Sequence, residues 1–352
     1  MSPSPAETKI LVTGATGFIA LRLIIDLLEA GYQVRGTVRT PSRETKLREV
    51  IAKNAGADAN ARFEIVKVDL LNDEGWPEAV AGCTYVHHVA SPLPAGPPKH
   101  EDDLIRPARE GALRCLKAAS ESGSVKRVVM TSSLAAVVYG HDRSDTSRVF
   151  DENDWSIPEG CPPYEKSKTL AERAAWEFVK ALPEDKKIEL VAINPGLVLG
   201  PVLEEDYGTS GEAVLKLMNK EYPGCPKIGW SVVDVRDVSA AHISAMTTPE
   251  ASGERFCCGI EHASFRDIAE SINRNFADKG IKVATRPLPD FLIRLLAIFD
   301  KTTRIVLHEL GQFQTIDNSK IKRVLKWEPR SLDEMVKAMG ETMIAFGLVK
   351  NG

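Results

Sequence analysis

Two side chains four residues apart, Tyr164 and Lys168, have the chemistry of an acid–base pair. They lie in the run PPYEKSKTLAERAAWEFVKAL, whose pattern predicts a helix, and positions i and i+4 share one helical face. A cation beside a phenol favours the phenolate, so we expect Lys168 to lower the Tyr164 pKa from its reference value of about 10. Such a phenol is a general acid able to protonate a carbonyl oxygen as a hydride arrives.

Ser133 supplies a third candidate catalytic group, which would give the substrate oxygen a second hydrogen bond. It ends the apolar run RVVMTSS, which predicts a strand. Because neighbouring side chains on a strand point in opposite directions, only one of Ser132 and Ser133 should face the site, and we assign Ser133. The YxxxK spacing alone occurs by chance in many helices. Its value here comes from its combination with Ser133 and a glycine turn.

That turn lies in KILVTGATGFIALRLIIDLLEAG, a pattern that predicts a strand, a tight turn and a helix. Gly14 and Gly17 let the backbone approach a pyrophosphate, and the helix N-terminus supplies N–H donors. A tight turn in another α/β fold is the alternative, but the position directly after the first strand favours a dinucleotide. The predicted cofactor contacts of this turn are Gly14, Thr16, Gly17, Phe18 and Ile19.

The end of the second predicted strand indicates which dinucleotide binds. Sites for NAD usually place a carboxylate here, next to the ribose 2′-hydroxyl. The segment 32–43 contains no acidic residue. A guanidinium suits a 2′-phosphate, so we predict NADP(H), mainly on Arg39; a solvated basic loop is the alternative. The basic residues of this region are Arg35, Arg39, Arg43 and Lys46.

Other strand ends predict further cofactor contacts. Asp69 and Leu70 end the run VKVDL and are expected near the adenine edge. Ala90 and Ser91 end HHVAS and are expected beside the nicotinamide-side ribose. Lys168 is also placed to bond the ribose hydroxyls.

Composition excludes several classes of function. The 352 residues carry a net charge of -4, and no basic stripe is present, so nucleic acid is not an expected partner. No run of about 18 apolar residues occurs, which predicts no membrane span. The start MSPSPAETK lacks the features of a secretory signal, so we predict a cytoplasmic location.

Cysteine and histidine patterns predict no metal site. The six cysteines include no CxxC pair and no Cys/His cluster with zinc spacing, which favours free thiols in a reducing compartment. Adjacent Cys257 and Cys258 are interpreted as a strand end. His87 and His88 are neighbours on a predicted strand and point to opposite faces, so they should not share a metal.

The alternation of elements predicts an α/β fold, a Rossmann-type doubly wound parallel sheet with a smaller C-terminal α/β substrate lobe. The predicted strands are KILVT, YQVRGTV, ARFEIVKV, TYVHHVA, KRVVMTS and IELVAIN. We place an NADP-binding domain at 1–200, to which 231–260 returns. Residues 201–352 mainly form the substrate lobe, which is expected to close over the carboxyl edge of the sheet.

The motifs TGATGFIA, GTVR, VDL, TSS, YEKSK and NPGLVLGP resemble those of the extended short-chain dehydrogenase/reductases. The dihydroflavonol reductase-like branch, which includes methylglyoxal, cinnamoyl-CoA and aldehyde reductases, is the most similar. The resemblance extends from Lys9 to about Gly347. It implies reversible NADPH-dependent carbonyl reduction with Ser133, Tyr164 and Lys168 as the catalytic set. It also implies that Arg39 and Lys46 bind the 2′-phosphate, and that the nicotinamide end is bordered by Pro195, Leu197 and Ser210.

Three departures from the branch are visible. Ala20 replaces a glycine common in the turn. The residues before Tyr164 are GCPP, unlike the NWYCYGK signature of cinnamoyl-CoA reductases, and LAAVV follows TSS where flavonoid reductases carry an Asn. We therefore expect a general aldehyde or ketone reductase. Its apolar pocket is expected to be lined by Leu134, Pro92 and residues of 202–230.

Two other functions are compatible with the same motifs. One is an NAD-dependent nucleotide-sugar epimerase or dehydratase, which shares the Ser, Tyr and Lys. The other is a non-catalytic dinucleotide sensor, although such proteins often lose the Tyr–Lys pair. The expected partner is a small-molecule carbonyl compound, and the expected state is a monomer or homodimer.

Overall fold

The computed structural model describes residues 4–91, 98–142, 145, 147–205, 207–299, 304 and 306–350. Strands and helices alternate through the first two hundred of them, as the sequence predicts. The elements are β1 (Lys9–Val12), α1 (Phe18–Glu29), β2 (Gln33–Val38), α2 (Glu44–Ala55), β3 (Phe63–Lys67), α3 (Trp76–Val80), β4 (Tyr85–His88), α4 (Asp102–Glu121), β5 (Arg127–Thr131), β6 (Val149–Phe150), α5 (Pro163–Ala181) and β7 (Glu189–Pro195).

The remaining elements alternate less regularly. They are β8 (Leu197–Leu199), α6 (Gly208–Met218), β9 (Gly229–Asp234), α7 (Val235–Thr247), β10 (Arg255–Cys258), β11 (His262–Ser264), α8 (Phe265–Phe276), α9 (Asp290–Phe299), β12 (Thr315–Ile316), α10 (Ser319–Leu325) and α11 (Leu332–Ala345). No helix in these described ranges is long and apolar enough to cross a membrane.

Seven parallel strands form the central sheet, in the order β10-β7-β5-β4-β1-β2-β3. The chain first winds outward from β1 to β3 and then restarts on the other side of β1 at β4. Ligands of such sheets bind outside the carboxyl ends of the strands, where the winding direction reverses. The predicted Rossmann-type fold is confirmed.

Helices cover both faces of this sheet because its strands are apolar on both sides. Ile10 and Val12 of β1 join one core cluster, whereas Leu11 between them joins the other. The first cluster packs under α1, α2 and α7, and the second under α3, α4 and α5. The alternation of the strand side chains therefore fixes which helix layer each residue contacts.

A second layer of structure follows β7. Strands β8 and β9 are parallel, β9 and β11 are antiparallel, and α6, α8 and α11 enclose a third apolar cluster. The segment VVDVRDV divides between two elements, because the Asp234 carboxylate accepts a hydrogen bond from Arg236 N and starts α7. Strand β10 then returns to the central sheet beside β7. The division of the chain at residue 200 stays a prediction.

A buried arginine joins the sheet to a helix end. Arg127 begins β5 and is 5% exposed. Its guanidinium donates to the backbone oxygens of Ala245, Met246 and Thr248 at the end of α7, at 2.7, 3.2 and 2.7 Å. It also forms an ion pair with Glu189 at 2.6 Å. Carbonyls at a helix C-terminus lack partners within the helix, so this cation completes their hydrogen bonding.

We expect Arg127→Met to lower the free energy of unfolding by about 2–4 kcal/mol, because it leaves buried carbonyl groups without donors. The matched control is Arg106→Met, since Arg106 makes an exposed ion pair with Glu110 in α4. That change should stay within about 0.5 kcal/mol. Urea unfolding followed by circular dichroism measures both variants. Equal effects would contradict the role assigned to Arg127.

Candidate active site

The glycine turn between β1 and α1 is held against the end of β4. Gly14 has a φ of +72°, and a Cβ there would lie 3.0 Å from the Ala90 Cβ. The Gly14 N–H donates to Thr37 Oγ1 at 3.0 Å, and the Gly17 N–H donates to the Gly14 oxygen at 2.8 Å. Gly17 is the N-cap of α1. The turn thus presents a helix N-terminus without side chains in the way, which suits a pyrophosphate.

Thr13, which the sequence analysis did not single out, fixes this arrangement. Its hydroxyl accepts hydrogen bonds from the Val89 and Ala90 N–H groups at 3.0 and 2.9 Å. The hydroxyl proton is therefore left for His88 Nδ1, 3.1 Å away, which must accept. Burial and the nearby Lys168 charge lower the His88 pKa to about 4, which keeps the imidazole neutral.

The two adjacent histidines face opposite sides of the sheet, as strand geometry requires. His87 Nδ1 lies 3.2 Å from His242 Nδ1 of α7, while His88 contacts Thr13. All six cysteines are free thiols. Cys257 and Cys258 are neighbours in β10, but each is buried in a different apolar cluster. Their adjacency therefore does not bring the two sulfurs to one site.

A cleft of about 350 Å³ lies beside the glycine turn, and Arg39 contributes to it. Two other basic residues of the region are already paired: Arg43 and Lys46 each lie 3.2 Å from a carboxylate oxygen of the buried Glu204. Arg39 has no ion pair among the described residues. The cleft is lined by Thr16, Val38, Arg39, Thr40, Ser42 and Arg43.

Arg35 does not belong to this basic group, although its position in the sequence placed it there. Its guanidinium forms an ion pair with Glu64 at 2.7 Å. It also donates to the oxygens of Glu78, Ala79 and Ala81 at the end of α3. Arg35 therefore caps a helix C-terminus and is not available to a cofactor phosphate.

The structure brings Ser133, Tyr164 and Lys168 together at the carboxyl end of the sheet. Ser133 follows β5, and its hydroxyl accepts from the Ala135 N–H at 3.1 Å and lies 3.5 Å from the Pro195 oxygen. Tyr164 lies in the first turn of α5, which begins at Pro163. The Lys168 Nζ is 5.9 Å from the centre of the Tyr164 ring.

The two neighbouring serines point in different directions, as their alternation predicts. Ser132 is buried and donates to Glu172 Oε2 at 2.5 Å. Ser133 is half-buried, and its hydroxyl is close enough to Tyr164 to lower the pKa of that phenol. Ser133 is thus the serine that shares a site with Tyr164.

The predicted direction of the Tyr164 pKa shift is wrong. Burial raises the pKa of Tyr164 to about 12, the Glu165 carboxylate adds to the increase, and Ser133 opposes it. Loss of hydration of the phenolate therefore outweighs any attraction by Lys168. Burial also lowers the pKa of Lys168 to about 8, although Glu172 acts in the opposite direction. The phenol stays protonated at neutral pH, as a proton donor must be.

Glu172 organises the groups behind the site, and the sequence analysis missed it. Its buried carboxylate forms an ion pair with Arg255 at 2.6 Å. It also accepts from Asn194 Nδ2 at 2.8 Å and Trp176 Nε1 at 3.2 Å, in addition to Ser132. Asn194 Nδ2 also donates to the backbone carbonyl oxygen of Ser133 at 3.1 Å. One signal in the sequence could have identified Glu172: it lies four residues after Lys168, on the same face of the predicted helix.

The other predicted cofactor residues lie on elements around the same edge. The Asp69 carboxylate accepts from the Leu71 N–H at 2.9 Å just after β3. Leu70 packs so closely on α4 that a Cβ at Gly111 would lie 2.8 Å from its side chain. The others are placed as follows: Phe18 and Ile19 begin α1, Ala90 and Ser91 follow β4, Pro195 ends β7, Leu197 begins β8 and Ser210 lies in α6.

The predicted substrate pocket is only partly described. Leu134 lies in an apolar cluster with Val138, Phe150 and Cys257, against which Tyr164 packs. Val202 and Trp230 belong to the cluster of the second layer. Pro92 lies outside the described residues.

A Rossmann sheet, a glycine turn and a Ser–Tyr–Lys set at its carboxyl edge together define the class of nicotinamide-dependent oxidoreductases. Residues 10–259 match the model of the NAD dependent epimerase/dehydratase family. The chain belongs to this family, and the resemblance to the extended short-chain reductases is confirmed.

The chain is similar to several curated reductases. It is 39% identical over 274 residues to cinnamoyl-CoA reductase CAD2 of Medicago truncatula, covering 76% of this chain and 81% of that protein. It is 34% identical over 280 residues to an anthocyanidin reductase of Vitis vinifera, covering 75% and 80%. The solved structure of yeast methylglyoxal/isovaleraldehyde reductase Gre2 complexed with NADPH matches with a TM-score of 0.81 and 28% identity, covering 97% of this chain and 99% of that one.

We expect Lys168→Met to stabilise the protein, because a charged ammonium is buried there. A lysine pKa moved from 10.5 to about 8 corresponds to at most about 3 kcal/mol. The penalty is complete below pH 8, where the folded and unfolded chains both hold the proton. It falls as pH rises toward 10.5, because the folded state releases the proton first. The stability advantage of the variant should therefore shrink between pH 8 and 9.5.

Thermal and urea unfolding at several pH values measure this difference. Lys180→Met is the matched control, since Lys180 is exposed near the end of the same helix. A Lys168→Met protein that is less stable than the wild type at pH 7 would show that the ammonium is stabilised rather than strained.

Proposed function

We propose that this protein is an NADPH-dependent carbonyl reductase that interconverts aldehydes or ketones and alcohols. The observation that carries the proposal is the grouping of Tyr164 with Ser133 and Lys168 at the carboxyl end of the sheet that also carries the glycine turn. A carbonyl reductase needs a proton donor, a second hydrogen bond to the substrate oxygen and a group that positions the donor. These three side chains supply them in that order.

The bound nicotinamide would supply the hydride. Tyr164 donates its phenolic proton to the substrate oxygen as negative charge develops there, and Ser133 donates a second hydrogen bond to the same oxygen. Lys168 would hold the ribose hydroxyls of the cofactor and would keep a positive charge near the tyrosinate that forms. In alcohol oxidation the same groups act in reverse. The Glu172–Arg255 ion pair fixes the backbone of Ser133 through Asn194.

Arg39 supports NADPH over NADH as the cofactor. It is exposed, lines the cleft beside the glycine turn and has no ion pair among the described residues. Lys46 was the second predicted phosphate ligand, but its ammonium is held by Glu204. A phosphate would have to replace that carboxylate to gain Lys46, whereas Arg39 can bind without losing a partner. Arg39 therefore carries most of the proposed preference.

The substrate is proposed to be a small aldehyde or ketone. The site borders an apolar cluster that contains Leu134, Val138 and Phe150. The residues before Tyr164 are Pro162 and Pro163, which form the N-cap and first position of α5, rather than the signature of cinnamoyl-CoA reductases. We therefore favour an apolar carbonyl compound over a coenzyme A thioester.

Tyr164→Phe should reduce kcat about 10²- to 10⁴-fold, because it removes the proton donor and leaves the ring packing intact. Cofactor affinity, measured by fluorescence titration with NADPH, should change little. The assay follows NADPH absorbance with a panel of small aldehydes and ketones. Tyr85→Phe is the control, because Tyr85 begins β4 at the opposite end of the sheet.

Near-normal turnover of Tyr164→Phe would remove this residue as the acid. A wild-type protein that retains tightly bound NAD and consumes no NADPH would instead favour a nucleotide-sugar epimerase or dehydratase. If no member of the carbonyl panel oxidises NADPH and no bound NAD is found, a dinucleotide sensor becomes the better description.

Arg39→Ala should lower kcat/KM for NADPH roughly 10- to 100-fold, as expected for the loss of a charge-assisted hydrogen bond. The value for NADH should hardly change, because its ribose lacks the phosphate. Arg48→Ala is the control, since Arg48 lies in α2 and is paired with Glu44. An equal loss with both cofactors would show that Arg39 acts on something other than the 2′-phosphate.

A further inference from the structure

Three side chains with metal-ligand chemistry meet beside Tyr164, although they come from distant parts of the chain. Glu165 lies in the first turn of α5, and His308 and Glu309 lie in the 3-10 helix Val306–Glu309. His308 Nε2 is 3.1 Å from Glu165 Oε1 and 3.3 Å from Glu309 Oε1. One ligand atom from each residue lies within 4.8 Å of the other two.

Two carboxylate oxygens of this cluster have no hydrogen-bond partner among the described residues. Glu165 is 6% exposed and Glu309 is 4% exposed. The Oε2 atoms of both carboxylates are buried and have no partner among the described residues. A single Nε2–H cannot make good hydrogen bonds to two carboxylates at once. Because nearly all buried polar atoms in proteins are partnered, the two orphan oxygens indicate that a further ligand belongs here.

The charge of the cluster leads to the same inference. Glu165 and Glu309 place two carboxylates in a buried position, where negative charge without a compensating cation is costly. A divalent cation bound to a neutral His308 would make the same group neutral.

We propose that Glu165, His308 and Glu309 form a binding site for a divalent transition-metal ion, with Zn²⁺ the best match. Zinc bonds of about 2.0–2.2 Å at tetrahedral angles separate two ligand atoms by roughly 3.3–3.6 Å. His308 Nε2 lies 3.1 Å from Glu165 Oε1, just below this range, and 3.3 Å from Glu309 Oε1, at its lower end. Imidazole nitrogen suits zinc, whereas magnesium and calcium prefer oxygen ligands alone.

The surroundings match those of a metal ligand set. The Tyr139 hydroxyl donates to Glu309 Oε1 at 2.6 Å, which would orient this carboxylate. His308 is 21% exposed on its side chain, which leaves a path for the ion to enter. Three protein ligands leave a fourth position for water. The sequence analysis predicted no metal site because Glu165 and His308 are 143 positions apart, beyond any spacing motif.

The 352-residue chain, stripped with a chelator and free of cofactor and substrate, tests this proposal. Zn²⁺ is titrated in competition with a chromogenic chelator. The wild type should bind one equivalent through this cluster. His308→Asn should bind it at least tenfold more weakly, and Tyr139→Phe about tenfold more weakly with unchanged stoichiometry. His100→Asn, a change of an exposed histidine in another region, should bind as the wild type does.

No uptake by the wild type, or equal uptake by the His308→Asn protein, would overturn the proposal. If His308→Asn does not fold, Glu309→Gln tests the same ligand set with a side chain of the same shape. Co²⁺ added to the wild type gives an independent reading: intense visible bands of a four-coordinate ion are expected, and the weak spectrum of hydrated Co²⁺ would contradict the site. Binding is measured without turnover, so a failure here is separate from any failure of the proposed reductase activity.

Discussion

A buried carboxylate on α5 joins the parts of this protein that must keep a fixed geometry. Glu172 accepts hydrogen bonds from Ser132 after β5, Asn194 in β7 and Arg255 in β10, and it is fully buried. The Arg255 guanidinium is itself held against the Trp155 ring, 3.7 Å from its centre. A buried ion pair gains little stability over an apolar pair, but breaking it leaves an uncompensated charge. This constraint fixes the register of α5 against the sheet. The positions of Tyr164 and Lys168, which lie on the same helix, are fixed with it.

Burial, rather than the neighbouring cation, sets the protonation of the candidate acid. The phenol of Tyr164 and the ammonium of Lys168 are both moved toward their neutral forms, in opposite pKa directions. At neutral pH the phenol is uncharged in both the folded and the unfolded chain, so only the buried Lys168 ammonium costs stability. A bound nicotinamide and ribose would give Lys168 the polar partners that it lacks among the described residues. Functional sites commonly contain strain of this kind, which is relieved when the ligand binds.

Much of the fold and of the site follows from local patterns. The alternation of apolar strands with amphipathic helices is enough to predict a parallel doubly wound sheet, because each element buries the faces that its own sequence makes apolar. The glycine turn is readable from the sequence since the positive φ of Gly14 is a local requirement of the turn. Arg35 shows the limit of this reasoning. It shares its sequence neighbourhood with Arg39, yet it caps α3.

The sequence by itself determined the sheet, the dinucleotide turn and the spacing of Tyr164 and Lys168, since each depends on residues within a few positions of one another. Only the tertiary structure decided the sign of the Tyr164 pKa shift, the pairing of Lys46 with Glu204 and the meeting of Glu165 with His308 and Glu309. Solvation and charge depend on which distant side chains displace water around a group. No local pattern carries that information, because it arises when separate elements pack together.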